Sequence, residues 1–338
     1  MKEFLKKVLV PPLASSAFSA LAASFFGHGI PIFMIHRMKV EGQSNSGITP
    51  EHLRRCLSYL TENGYTFVSL EDIIYALNNQ ITLPEKSVSF TMDDGFLEQG
   101  RLAAPIFLEF NCPLTFFVIT GLLDKELWPW DAQVSWVVDN TKKNHIAIDF
   151  DDESINVTLG DKKSRRKARE EIRNIIKEMN SECVPELINR LAKAADIRIP
   201  ETAPASYQPL TWDMARELEK SGVRFAPHSI THRILSKLSK QSAEHEIIGS
   251  WETLERELSN PLKIFCYPTG RFMDFGSREV DILRKEKFLG AISTVSGYVE
   301  VEKNQENQIF RLPRFELPDN MVDFIQYSSW IERAKKLD

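Results

Sequence analysis

The stretch SVSFTMDDG, Ser87 to Gly95, decides how the rest of this 338-residue sequence is read. Val88, Phe90 and Met92 alternate with smaller residues, which predicts a short buried strand, and the strand runs straight into two carboxylates and a glycine. Apolar packing has no use for Asp93 and Asp94 at that point. A second stretch, FAPHSITH from Phe225 to His232, follows another strand-like run, Val223 to Ala226, and supplies two imidazoles four residues apart. One aspartate with two histidines is a set of the kind that holds a catalytic divalent metal and leaves positions open for water and substrate. Taken singly, Asp-Asp-Gly can be a simple turn, because both residue types tolerate turn geometry, and a His-x-x-x-His pair can sit idle on a surface. Together, at the ends of strand-like runs, they fall where open α/β sheets and barrels keep their chemistry.

Outward from these stretches, strands and helices alternate with short connections, the sign of parallel β/α units. Pro31 to His36 reads as a first strand ending in a histidine. Thr49 and Pro50 open a helix whose stripe is Leu53, Cys56, Leu57 and Leu60. A strand over Thr66 to Val68, a helix capped by Ser69, a helix over Phe96 to Phe110 and a strand over Leu114 to Ile119 follow. The alternation lapses from about Leu127 to Pro209, where Trp128, Trp130 and Trp136 cluster ahead of an acidic run, Asp149 to Glu153, and a long charged helix from about Lys163 to Ala195. This predicts an insertion between barrel units, with the tryptophans anchoring it and the basic run Lys162 to Arg169 forming a solvated face. From Leu210 the units resume, through a strand at Leu289 to Ser293, and end in a helix near Asp319 to Lys336.

Composition sets the outer limits. With 43% hydrophobic and 26% charged residues the chain can bury one large core or two modest ones. A net charge of -5 argues against nucleic acid as a partner. Cys56, Cys112, Cys183 and Cys266 are scattered and read as reduced core residues. At the N-terminus Lys2, Lys6 and Lys7 precede a charge-free run, Val8 to Gly27, that is rich in Ala and Ser and broken by Pro11 and Pro12. Residues 1–30 are therefore expected as an apolar extension. It is either an anchor or a helix from about Leu13 to Phe26 that covers one end of the domain or touches a membrane surface through residues 8–27. The expected location is cytoplasmic or membrane-associated.

The motifs resemble those of the polysaccharide deacetylases, the NodB-like carbohydrate esterases, and in particular their exopolysaccharide-type members. TMDDG is similar to the family's TFDDG, HSITH to its H-S/T-x-x-H, and YPTG, Tyr267 to Gly270, to the Pro-x-Gly loop that follows. The resemblance covers roughly residues 31 to 315. It implies a distorted (β/α)7-type barrel over 31–338 that hydrolyses the N-acetyl group of an amino sugar in a polysaccharide or glycan precursor. A deformylase acting on a formamido sugar, or a barrel that binds carbohydrate without turnover, are the alternatives.

The resemblance also implies roles. Asp94, His228 and His232 would hold one divalent ion, zinc first, with Co, Ni, Fe or Mn also suited to such a set. Asp93 would take a proton from water, and Tyr267, Pro268, Thr269 and Gly270 would face the substrate, with an amide near Thr269 holding the oxyanion. Both carboxylates can reach one cleft only if the backbone turns at Asp94 and Gly95, because neighbours on an extended strand point to opposite sides. Two departures stand out. Where many members carry an arginine at the start of the third motif this chain has Cys266, so Arg314, or else Arg271, is expected to supply that charge. No late Leu-x-His is present, so His36 is the expected general acid.

Overall fold

The computed structural model describes residues 6, 9–10, 12–14, 29–42, 46–150, 153–301 and 308–334. In chain order the strands are β1 (Ile30–Ile35), β2 (Thr66–Phe67), β3 (Ser87–Asp94), β4 (Leu114–Val118), β5 (His145–Phe150), β6 (Glu153–Thr158), β7 (Arg224–Pro227), β8 (Ile264–Cys266), β9 (Gly290–Ile292), β10 (Tyr298–Val299) and β11 (Phe315–Glu316). The main sheet runs β10–β1–β3–β4–β7, with β11 added to β1 and β2 to β3. Every pairing in it is parallel except β10 on β1. β8 and β9 form a parallel pair beside it. A bond from Leu262 N to Phe225 O links that pair to β7, and one from Leu312 N to Ala291 O links it to the chain entering β11. Around a common interior the strands therefore follow as β11, β1, β3, β4, β7, β8 and β9, the distorted β/α arrangement that the alternation predicts.

β3 is buried along its whole length because both of its faces are covered. Val88, Phe90 and Met92 face the helices, in a cluster with Leu57, Leu60 and Phe107. The alternate residues, ending in Thr91 and Asp93, turn inward, where Ile32, Phe117, Ala226 and Cys266 pack together. The flanking helices follow their caps: Thr49 accepts from the amide of His52 ahead of Pro50–Glu62, and Ser69 forms a reciprocal capping box with Asp72 ahead of Leu70–Asn79. The helix expected over Phe96 to Phe110 begins instead as a π turn, Gln99–Ala103, before Ala104–Glu109.

The insertion differs from its prediction. The single helix expected over 163–195 is two, Lys162–Glu178 and Val184–Ala194, because Pro185 is tolerated in the first turn of a helix but not in its interior. An antiparallel hairpin, β5 with β6, precedes them and buries Ile146, Phe150, Ile155 and Val157 on one face. Asp151 and Asp152 of the acidic run lie outside the described residues. These elements share a core of their own with the helix Trp130–Asn140. Trp128 ties the insertion to the barrel by packing on Phe96, Ile119 and Leu122, while its indole donates to Pro200 O at 3.0 Å within the insertion. The final helix is likewise split, into Met321–Ser328 and Trp330–Ala334.

Of the apolar extension, Val10 and Ala14 pack on Ile325, and the Trp330 indole donates to Leu13 O at 3.1 Å. Residues 15–28, most of the expected Leu13–Phe26 helix, lie outside the described residues. Among the described residues no helix is long and apolar enough to cross a membrane.

Candidate active site

Strand register brings the predicted residues to one level. Ile35 of β1 lies opposite Met92 of β3, so His36 follows beside Asp93. Asp94 lies opposite Val118 of β4, and Val118 opposite Pro227 of β7, so His228 emerges at the same height. The turn required after β3 is present: Asp94 and Gly95 take φ of 81° and 87°. A Cβ on Gly95 would come within 2.9 Å of the Leu123 Cδ1 and 3.0 Å of the Val118 Cγ1, so both its conformation and its space favour glycine. Ser229, His232 and Thr269 share this left-handed backbone. Such conformations each cost about 1–3 kcal/mol in non-glycine residues, and their gathering at one spot fits a site in which geometry overrides local preference.

Two buried side chains hold the turns in place. The Gln99 amide uses all four of its bonds. Its oxygen accepts from the amides of Gly95 and Phe96 at 3.1 Å, and its nitrogen donates to the carbonyls of His36 and Asp93. Glu246, 1% exposed, accepts from the amides of Ile230 and Thr231 and from Arg233, and so fixes the loop between the two histidines.

Asp94, His228 and His232 converge. Their nearest donor atoms lie within 4.8 Å of one another, with Asp94 Oδ1 at 3.7 Å from the Nε2 of each histidine. His228 Nδ1 donates to Cys266 O at 2.8 Å, which turns the Nε2 lone pair towards the carboxylate. Burial, followed by the neighbouring His232, pushes the His228 pKa down to about 3; burial also lowers that of His232, so both rings are neutral. Burial, then Asp131 and Asp93, raise the Asp94 pKa well above the usual carboxylate range. One carboxylate oxygen and two imidazole nitrogens that converge in a buried pocket, with Asp94 Oδ1 and His232 Nδ1 lacking hydrogen-bond partners among the described residues, fit a divalent metal. A second grouping, Asp93 with His228 and Cys266, is less suitable because Asp93 is already engaged.

That engagement is with Arg314. Its guanidinium forms a two-pronged pair with Asp93, Nη1 to Oδ1 and Nη2 to Oδ2, each at 2.7 Å, and also reaches Thr91 Oγ1, Ser293 O and Cys266 Sγ. Burial alone would raise the Asp93 pKa, but Arg314, helped by His36 and His228, holds it well below the usual range. Arg314 is 0% exposed. The structure thus puts it behind Asp93 and out of reach of a substrate, which corrects its grouping with the substrate-facing residues. Cys266 is small enough to leave the guanidinium its room. Arg271 is elsewhere, paired with Asp274 and Glu178. His36 Nε2 lies 3.6 Å from Asp93 Oδ2 and is the more exposed of the two.

In the third motif Tyr267 is completely buried, stacked on Phe275, with its hydroxyl donating to Phe310 O. Its side chain is therefore part of the core, and the face offered to the cleft is backbone. Pro268 is buried beside it. Thr269 donates from Oγ1 to Asp274, while its amide has no partner among the described residues. Gly270, at φ 62°, brings the loop against the amide of Thr294, which a Cβ would meet at 2.9 Å.

A cavity of about 420 Å³, a normal size for a small-ligand cleft, holds Asp93, Asp94, His228, His232, His36 and Thr269. The insertion closes its other side with Trp130, Asp131, Arg173 and Lys177. The Trp130 indole donates to His232 O at 3.0 Å. Burial opposes ionisation of Asp131, but Arg173 and His232 outweigh it and keep its pKa low. Sequence reasoning missed Asp131, Gln99 and Glu246. A larger cavity of about 830 Å³ adjoins at His36 but contains none of the three metal-ligand candidates, so the chemistry belongs to the smaller one.

Residues 138–281 match the polysaccharide deacetylase family, a span that includes HSITH and YPTG and begins downstream of Asp93 and Asp94. No curated protein matches the chain. Among solved structures it is similar to the Streptococcus pyogenes deacetylase PplD in complex with acetate, at 19% identity over 89% of this chain and 98% of that one, with a TM-score of 0.58. It is also similar to IcaB from Ammonifex degensii, at 16% identity over 89% and 97%, with a TM-score of 0.57. A polysaccharide deacetylase from Bacillus cereus aligns at 15% identity over 89% and 69%, with a TM-score of 0.54. At these identities the likeness is one of fold.

Proposed function

We propose that this chain, whose residues 138–281 match the polysaccharide deacetylase family, hydrolyses the N-acetyl group of an amino sugar with the help of one divalent ion, zinc first. The observation that carries this reading is the convergence of Asp94, His228 and His232 within 4.8 Å, with Asp93 and His36 alongside. When bound, a divalent ion at such a set makes water acidic enough to supply a nucleophile near neutral pH and polarises an amide carbonyl. The remaining chemistry belongs to the chain. Asp93, kept ionised by Arg314, accepts the proton of the attacking water through a lone pair that the guanidinium does not use. The same ion pair makes Asp93 a reluctant resting place for that proton. His36, 3.6 Å away and open to solvent, then protonates the leaving nitrogen. The Thr269 amide, without a partner among the described residues, is a donor available to a developing oxyanion.

The test is acetate release from N-acetylglucosamine oligomers by the purified full chain. Release should stop on chelation and return with added metal. A metal-saturated protein that releases no acyl group from any N-acetylated or N-formylated glycan would overturn the assignment and leave a carbohydrate-binding barrel.

A further inference from the structure

The helix Lys162–Glu178 carries Arg166, Arg169, Arg173 and Lys177 at spacings of three and four, which puts them on one face. From sequence alone that face is simply solvated. In the fold it borders the cleft. Arg173 and Lys177 line the cavity that contains the metal-ligand candidates, together with Arg271 from the loop after Gly270. Arg166, Arg169 and Arg173 line a second cavity of about 700 Å³ that shares His36, Asp94, Asp131, Arg173 and Glu316 with the first. A row of cations thus runs from the reacting centre along one wall of the groove.

Most of these charges have partners. Arg169 pairs with Asp139, and Arg271 with Asp274 and Glu178 at 2.8 and 3.1 Å. Arg173 donates to Asp131 O and Ser135 Oγ, close to the Asp131 carboxylate. Lys177 is the exception. Half-buried at the cleft wall, it has no ion pair with a described carboxylate, and Arg173 and Arg271 line the same cavity. Burial first, and then Arg271, disfavour its charged form, while Asp274 and Asp131 favour it from beyond ion-pair distance. The carboxylates nearest it, Asp131 and Asp274, are already engaged by Arg173 and Arg271, so an ammonium facing the open cavity is satisfied by an anion that arrives with the ligand.

We propose that the cleft takes a glycan carrying a negative charge, a carboxylate or a phosphodiester, next to the sugar whose amide is cleaved, and that Lys177, in the cavity that Arg173 and Arg271 also line, selects it. The proposal rests on the deacetylase reading for the glycan, but its charge preference is measurable without turnover.

The experiment compares three oligosaccharides of equal length on the metal-loaded full chain: an N-acetylglucosamine oligomer, a polymer fragment alternating N-acetylglucosamine with glucuronate, and N-acetylated sugars joined by phosphodiesters. Both kcat/KM for acetate release and equilibrium binding by tryptophan quenching are read. At least one charged substrate should be preferred by about tenfold or more in both, the preference should shrink as salt is raised, and whichever arm carries it names the anion. Lys177→Met should abolish the preference and Lys177→Arg should keep it. Should Lys177→Met not fold, the Lys177→Arg variant and the salt series still decide. Equal kcat/KM and binding for neutral and charged substrates, or a preference that survives Lys177→Met, would overturn the proposal. Tighter binding of a charged glycan with no acyl release would support the anion site and overturn the deacetylase reading. Release from all three without preference would do the reverse.

Discussion

Asp93 and Asp94 are neighbours in sequence, yet the regions they enter are opposites. The interior beneath Asp93 is complete: Arg314 takes both of its oxygens, and Thr91, Ser293 and Cys266 hold the guanidinium in turn. The pocket around Asp94 is unfinished, with Asp94 Oδ1 and His232 Nδ1 buried and without partners among the described residues. One glycine-assisted turn separates a carboxylate that is held ionised from one that resists ionisation. The lesson is that the side around Asp93, the base in the proposed reading, is preformed by the fold, whereas the side around Asp94 leaves buried acceptors that the proposed cation would satisfy.

The largest effect should come from breaking the preformed side. Arg314→Met leaves the Asp93 charge buried with only the half-exposed His36 beside it, so urea denaturation should report a loss of about 3–5 kcal/mol at neutral pH. The sign of its pH dependence follows from the depressed Asp93 pKa. The ion pair contributes fully above the unfolded aspartate value of about 3.9 and fades as pH falls below it towards the folded value, so wild type and variant should converge in acid. A variant that loses less than 1 kcal/mol would mean that the two regions do not differ as described. Asp93→Asn should bind metal with unchanged stoichiometry while kcat falls by about 100-fold or more, as for loss of a general base. Metal analysis and single-turnover acetate release on the same sample would check this.

On the unfinished side, Asp94→Ala, His228→Ala and His232→Ala should each weaken metal binding by about tenfold or more in a chelator competition, because three ligands leave little redundancy. Finding that Asp93→Asn loses metal while Asp94→Asn keeps it would exchange the roles of the two carboxylates and break the comparison outright.

Much of the finished side's outline was legible in the sequence. Alternation in SVSFTMDDG placed Asp93 at a strand end, and Gly95 announced the turn that lets both carboxylates into one cleft. Local pattern could not reveal who satisfies them. Arg314 lies 221 residues from Asp93, and its approach depends on β11 pairing with β1 and on the small Cys266 between them. Gln99 looks in sequence like an ordinary helical residue, and only the π turn aims its amide at four backbone groups. The insertion is obscured for a different reason: its charge dominates the local pattern, although Pro185 and the alternation of Ile146, Ile148 and Phe150 carry the helix break and the hairpin. Composition describes what a segment can tolerate, not which wall of a cleft it forms.

The smallest predicted effect sharpens the comparison most, because it reverses the usual sense of an active-site substitution. In the metal-free protein Asp94→Asn removes a buried carboxylate that has no donor and keeps an isosteric amide able to donate to a histidine Nε2. The Asp94 pKa is raised in the folded state, so its protonated form favours folding below the unfolded value of about 3.9, and that contribution is lost as pH rises through the folded value. Asp94→Asn should therefore match wild type near pH 4 and exceed it at pH 7 by at least about 1 kcal/mol, the penalty of an unsatisfied buried group, or about 2 °C in Tm. Saturating metal should invert the order, since the ion stabilises wild type by mass action and the variant hardly at all. Calorimetry of both proteins with and without metal gives four melting temperatures. If wild type melts higher in all four conditions, Asp94 already has a partner without the ion, and the ligand side is as complete as the base side.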